Sequence, residues 1–113
     1  MEIPVAELDG VSVAVVPVDE LDAGNSPDFK RDMAPVLQAN TKLVLDLSRL
    51  RFVDSSGLGA ILSCLRQLTA KKGDLKLCCM SKQVRAAFEL VRMHRIFDIT
   101  ATKEEAIHAF QHS

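Results

Sequence analysis

Asp54, Ser55 and Ser56 precede Gly57, Leu58 and Gly59, and this run is where the chain carries chemistry most plainly. The mostly apolar segment before it reads as a strand, and the spacing of Leu58, Ile61, Leu62, Leu65 and Leu68 after it reads as one helical stripe. The run therefore stands at a helix N-terminus. The first backbone N–H groups of a helix lack internal partners, and the macrodipole makes that end positive. Ser55 or Ser56 is placed to cap it. Two glycines in this turn each cost about 1 kcal/mol of helix propensity against alanine, a cost expected where something approaches the backbone closely. A serine held there, exposed and uncluttered, is a good phosphate acceptor. A phosphate adds roughly −1.5 to −2 charges at pH 7, which the helix end tolerates and which a partner docked on the same surface, with Asp54 already negative, does not. The plain alternative is that Asp-Ser-Ser is only a helix cap.

Other chemistries fit less well. A phosphate-cradling loop needs a lysine just after its glycines, and Ala60-Ile61 occupy that place. Residues 54–58 do not form the Gly-x-Ser-x-Gly elbow of a hydrolase. His94, His108 and His112 come late and lack metal-ligand spacing, so surface or structural roles are expected of them. Asp46 and Asp54 have no companion base to make a general acid–base pair. Cys78 and Cys79 are neighbours on a predicted strand and should point to opposite faces, which suits neither a metal pair nor a disulfide. With Cys64 they make an odd count, expected to be core or half-buried thiols. No catalytic residue, cofactor or metal is expected, and the chain is not expected to be an enzyme.

The elements that position residues 54–59 follow from pattern. Residues 3–8 and 11–18 flank Asp9-Gly10, a strong hairpin signal, and should pair antiparallel, with Pro17 at a strand end. Residues 19–25 read as a loop. Ser26-Pro27-Asp28 looks like a helix start with Ser26 as cap, and Pro35 predicts a kink or two short pieces. Residues 42–47 form a strand apolar enough to be central and covered on both faces, and a loop follows it through Val53. Gly73 should end the second helix. Residues 75–80 form a strand. Ser81 should cap a third helix whose inner face is Val84, Ala87, Phe88 and Val91. A short strand at 96–99 precedes a capping box, Thr102 with Glu105, opening a last helix with Ala106, Ile107 and Phe110 inside. The order β-β-α-β-α-β-α-β-α predicts the α/β class: a mixed, mostly parallel sheet with an N-terminal antiparallel hairpin and about four helices mainly on one face. One domain over residues 1–113 is expected.

With 14 basic against 15 acidic residues the net charge is −1, which points to neither nucleic acid nor an anionic membrane. Arg49/Arg51, Lys71/Lys72 and Arg92/Arg95 are short enough to be solvated surface. A start of Met-Glu-Ile-Pro with no long apolar run predicts no signal peptide or membrane span, hence a cytoplasmic location.

Leu45-Asp46-Leu47, then Phe52-Val53-Asp54-Ser55-Ser56-Gly57-Leu58-Gly59, and more weakly Leu21-Asp22-Ala23, resemble the STAS domain family, in particular the bacterial anti-sigma factor antagonists. Where that family often has Gly-Glu-Leu-Asp, this chain has Asp19-Glu20-Leu21-Asp22. The resemblance covers nearly the whole chain and implies a STAS fold. It further implies that the serine after the motif aspartate, Ser55, is phosphorylated. The unmodified form would bind an anti-sigma factor that is also a serine kinase using ATP, and so free the sigma factor. Phosphorylation would separate the complex, and a metal-dependent serine phosphatase would reset it. Asp22, Asp54, Ser56, Gly57 and Leu58 would line the docking surface. Two other readings stay open: a non-catalytic STAS interaction or scaffold module in a larger signalling or transport complex, and a small enzyme or nucleotide-binding protein.

Overall fold

Asp9 and Gly10 turn the chain back on itself with φ of 54° and 79°, the doubly left-handed geometry that a two-residue hairpin with Asp-Gly adopts. A computed structural model describes residues 1–112. Around this turn β1 (Val5–Leu8) and β2 (Val11–Val15) pair antiparallel, with Leu8 opposite Val11. Both strands are shorter than the sequence predicts, because Pro4 and Pro17 bring no N–H to extend the ladder. β2 then pairs in parallel with β4 (Lys42–Asp46), β4 with β6 (Asp74–Cys78), and β6 with β7 (Asp98–Thr100). The sheet order is β1-β2-β4-β6-β7, so β4 is central, as its apolar run implies.

Side chains alternate across β4, and the alternation splits the interior in two. Leu43 and Leu45 pack into the larger core with residues of α1 (Ser26–Ala39), α2 (Ser55–Thr69) and α3 (Lys82–Leu90). Val44 faces the other way, into a smaller core with Ala106, Ile107 and Phe110 of α4 (Lys103–Gln111). Three helices thus serve one face and one serves the other.

Local details correct several expectations. The cap position of α1 is Asn25, while Ser26 is the first helical residue and its hydroxyl donates to the Asp22 carbonyl at 2.6 Å. Pro35 does not divide α1, which runs unbroken through it. Pro35 is exposed and opposite the buried stripe of Phe29, Met33 and Leu37, so the carbonyl it deprives of a partner lies toward water. After α2 it is Lys72, not Gly73, that takes the left-handed conformation, with φ of 65°. Gly73 is needed for closeness instead: a Cβ there would lie 2.5 Å from the Thr41 carbonyl oxygen. Ser81 caps α3 as predicted, accepting from the Val84 N–H at 3.2 Å. Val91 falls beyond the end of α3 and is half exposed, so it is not part of the inner face. The last strand starts later than predicted, at Asp98, because Met93–Arg95 winds into a short 3₁₀ turn first.

The largest departure lies at residues 19–25 and 51–53, both expected to be loop. Here β3 (Glu20–Leu21) and β5 (Phe52–Val53) pair in parallel as a separate two-stranded sheet. Leu21 and Val53 anchor it in the larger core.

Candidate functional site

The small β3–β5 sheet sets the site. The Asp19 carbonyl accepts from the N–H groups of Arg51 (2.6 Å) and Phe52 (3.1 Å), and the Leu21 carbonyl accepts from Asp54 N–H at 3.2 Å. These bonds hold the loop before α1 against the turn before α2. Asp54 is the cap of α2, extended with φ of −99° and ψ of −174°. One of its carboxylate oxygens accepts from Gly57 N–H at 2.9 Å, and the other accepts from Ala23 N–H at 3.2 Å in the neighbouring loop. Asp22 organises that loop from within. Its carboxylate accepts from Gly24 N–H at 2.9 Å, its own N–H donates to the Asn25 side chain at 2.9 Å, and its carbonyl receives Ser26 N–H at 2.8 Å. The structure therefore brings Asp22 and Asp54, distant in sequence, to one edge of the molecule.

Ser55 is the first residue of α2, exposed to solvent, and Ser56 beside it is exposed as well. Because the Asp54 carboxylate does the capping, the Ser55 hydroxyl is not consumed by it. The expectation that Ser55 or Ser56 caps the helix is corrected on this point: the run does open the helix as a cap, with Asp54 as the capping residue. Unsatisfied N–H groups and the macrodipole of this 15-residue helix make its tip positive.

The glycines of the run divide the work. Gly57 is buried, and a Cβ there would lie 2.3 Å from the Leu21 carbonyl oxygen and 2.6 Å from Val53 Cγ2. Only glycine lets α2 sit this close to β3 and β5. Leu58 is likewise buried, at 6% exposure, in the larger core. Both residues lie under the tip rather than on its surface. Gly59 is exposed with nothing within 4 Å of where a Cβ would stand. It floors an open depression of about 430 Å³ between α1 and α2, with Ser56, Ala23 and Lys30 on its walls. Ala23 entered the sequence reading only as part of Leu21-Asp22-Ala23, and Asn25 and Lys30 were missed. Asn25 stands at the cap position of α1, but its side chain accepts from Asp22 N–H in the loop rather than from the helix; nothing local marks Lys30.

The remaining reactive residues lie elsewhere. His108 and His112 lie ring to ring on the last turn of α4, with centroids 4.1 Å apart. His94 lies in the 3₁₀ turn. Cys64 is buried in the larger core, and burial pushes its thiol up to about 12. Cys78 and Cys79 are free thiols, buried and half-buried as expected, but the expectation that they point to opposite faces is overturned. β6 ends at Cys78, and Cys79 turns left-handed with φ of 66°, so strand alternation no longer separates them. Both sulfurs lie within 4.8 Å of each other and of an Asp46 carboxylate oxygen. Among the described residues no helix is long and apolar enough to cross a membrane.

Comparison with known proteins agrees with the geometry. Residues 2–106 match the STAS domain family. The chain is 30% identical over 112 residues to BtrV of Bordetella bronchiseptica, which carries a provisional name as an anti-sigma factor antagonist, covering 98% of this chain and 96% of that one. A Thermotoga maritima crystal structure with the same provisional description superposes with a TM-score of 0.86 at 28% identity, covering 95% of this chain and 92% of that one. The anti-sigma factor antagonist SpoIIAA from Bacillus, solved in unphosphorylated and phosphorylated forms, superposes with a TM-score of 0.69 at 26% identity in each. The alignment covers 96% of this chain in both, and 97% and 98% of the respective SpoIIAA chains.

Proposed function

Since the chain belongs to the STAS domain family, we propose that it is an anti-sigma factor antagonist whose binding is switched by phosphorylation of Ser55. One observation carries this reading: the Ser55 hydroxyl is exposed at the positive tip of α2, while a carboxylate one residue earlier does the capping. SpoIIAA, known in both phosphorylation states, supports it by likeness.

In this mechanism the unmodified tip is the docking surface for an anti-sigma factor with serine kinase activity. Ser55 and Ser56 present small hydroxyls, the Asp22 loop stands beside them, and the depression floored by Gly59 receives a partner side chain. Gly57 and Leu58 act from beneath, by fixing the height of the tip. The kinase transfers the γ-phosphoryl group of ATP to Ser55 Oγ, the bond to the β–γ bridging oxygen breaks to release ADP, and the hydroxyl proton leaves to solvent. The added charge of about −1.5 to −2 is accepted by the helix end without unfolding. The partner loses contact because a bulky, hydrated dianion beside Asp54 now fills the surface. A serine phosphatase hydrolyses the ester and restores docking.

The test starts with the kinase recovered by pull-down on the unmodified chain. Incubation with ATP should place one phosphate, which peptide mass spectrometry locates on Ser55. Ser55→Asp should lose the partner while keeping its melting temperature within a few degrees, and Ser55→Ala should bind constitutively. Phosphate on Ser56 alone, or equal binding by the two variants, would refute the mechanism.

A further inference from the structure

We propose that Asp46, Cys78 and Cys79 form a binding site for a thiophilic divalent cation of the zinc class. The three ligand atoms lie within 4.8 Å of one another. In a tetrahedral zinc site with bonds of about 2.0–2.3 Å, ligand atoms stand about 3.3–3.8 Å apart, so small side-chain rotations close the set. Two thiolates and one carboxylate are a donor set that zinc-class ions favour and that magnesium and calcium do not.

The backbone is arranged for this convergence. Asp46 and Cys78 are direct partners in the parallel β4–β6 register. An ordinary strand would send the next side chain to the opposite face. Cys79 instead takes φ of 66°, a conformation uncommon for a residue with a Cβ, and its sulfur joins the other two groups. One Asp46 oxygen accepts from Ser48 N–H at 2.8 Å, which orients the carboxylate and leaves its second oxygen for the ion.

Charge and access fit as well. Two thiolates and a carboxylate around a dication carry a net negative charge. That charge is offset by the first turn of α4, where the Lys103 backbone N–H favours the Cys79 thiolate and the Lys103 ammonium favours that of Cys78. Cys78 is buried, whereas Cys79 and Asp46 are half-buried, so the site is shielded on its inner side and open on its outer side. A groove of about 160 Å³ walled by Val5, Val15, Asp46 and Lys103 borders the set at Asp46. The site belongs to the α4 side of the sheet, and its existence does not depend on the Ser55 reading.

The experiment uses the whole chain, reduced and stripped of metal, titrated with Co²⁺ and then Zn²⁺. One equivalent of Co²⁺ should develop the intense near-ultraviolet thiolate-to-cobalt band and the visible bands of a tetrahedral centre, and Zn²⁺ should bleach both. Cys79→Ser and Asp46→Asn should each weaken Zn²⁺ binding by more than about tenfold in competition with a chromophoric chelator. Cys64→Ser, on the far side of the sheet, should leave affinity unchanged. Circular dichroism of Cys79→Ser, altered at a half-exposed position, confirms that the fold is retained. Absence of the thiolate band in the unaltered chain, wild-type affinity in Cys79→Ser, or loss of binding in Cys64→Ser would each overturn the proposal.

Discussion

The N-termini of α2 and α4 use the same residue types and reach opposite results. At α4 the cap is a hydroxyl: Thr102 Oγ1 accepts from Glu105 N–H at 3.1 Å, while the Glu105 carboxylate takes Thr102 N–H at 3.0 Å and the Thr102 hydroxyl at 3.1 Å. The Thr102 hydroxyl and one Glu105 carboxylate oxygen are thus spent on each other's backbone N–H groups. At α2 the cap is a carboxylate, Asp54, and the hydroxyl follows it in the first helical position. Moving the acid ahead of the hydroxyl leaves the serine unspent. The second oxygen of Asp54 then reaches across to Ala23 in another loop, which Glu105 does not do. One helix start is closed on itself, and the other is open to solvent and tied to a second segment. That difference separates a structural cap from a surface fit for modification.

Substitutions can break this comparison, beginning with the largest effect. Gly57→Ala forces a methyl group into the Leu21 carbonyl and should destabilise the fold by about 3 kcal/mol, read from urea melts. Gly59→Ala meets nothing and should be neutral or stabilising by up to about 1 kcal/mol in the same melts. Asp54→Ala removes both the cap and the link to Ala23, and should cost about 2 kcal/mol. It should also speed hydrogen exchange at the Ala23 amide, a change no substitution at α4 reproduces. Thr102→Ala loses one cap and should cost about 1 kcal/mol. Ser55→Ala sharpens the contrast with a change within about 0.5 kcal/mol, because its hydroxyl caps nothing. A cost for Ser55→Ala equal to that for Thr102→Ala would erase the distinction between the two helix starts.

What could be read from the sequence was what local chemistry decides. Asp9-Gly10 has one comfortable conformation and produced its hairpin; Ser81 and the pair Thr102 and Glu105 cap where their spacing requires; and the apolar run of β4 lies at the centre of the sheet. The Ser55 run was legible as an exposed helix tip for the same reason. The misreadings share a different cause. β3 and β5 are two residues each, too short for any period, and exist only because Leu21 and Val53 meet in the core. Gly73 is required by the backbone of Thr41, far away in sequence, which no local pattern reports, whereas the close approach expected of the glycine run is met at Gly57 by the Leu21 carbonyl. Cys79 looked like the next residue of a strand until its left-handed φ ended the alternation.

The pairing of β3 with β5 has a thermodynamic consequence for recognition. Two surface loops that wandered independently would each have to be immobilised when a partner arrives, and the affinity would fall by that ordering entropy. Here the bonds from Arg51, Phe52 and Asp54 to Asp19 and Leu21 have frozen the loops relative to each other during folding. On the docking proposed for this tip, a partner would meet a single preassembled ledge, and a large share of its binding free energy would go into affinity rather than into freezing that ledge.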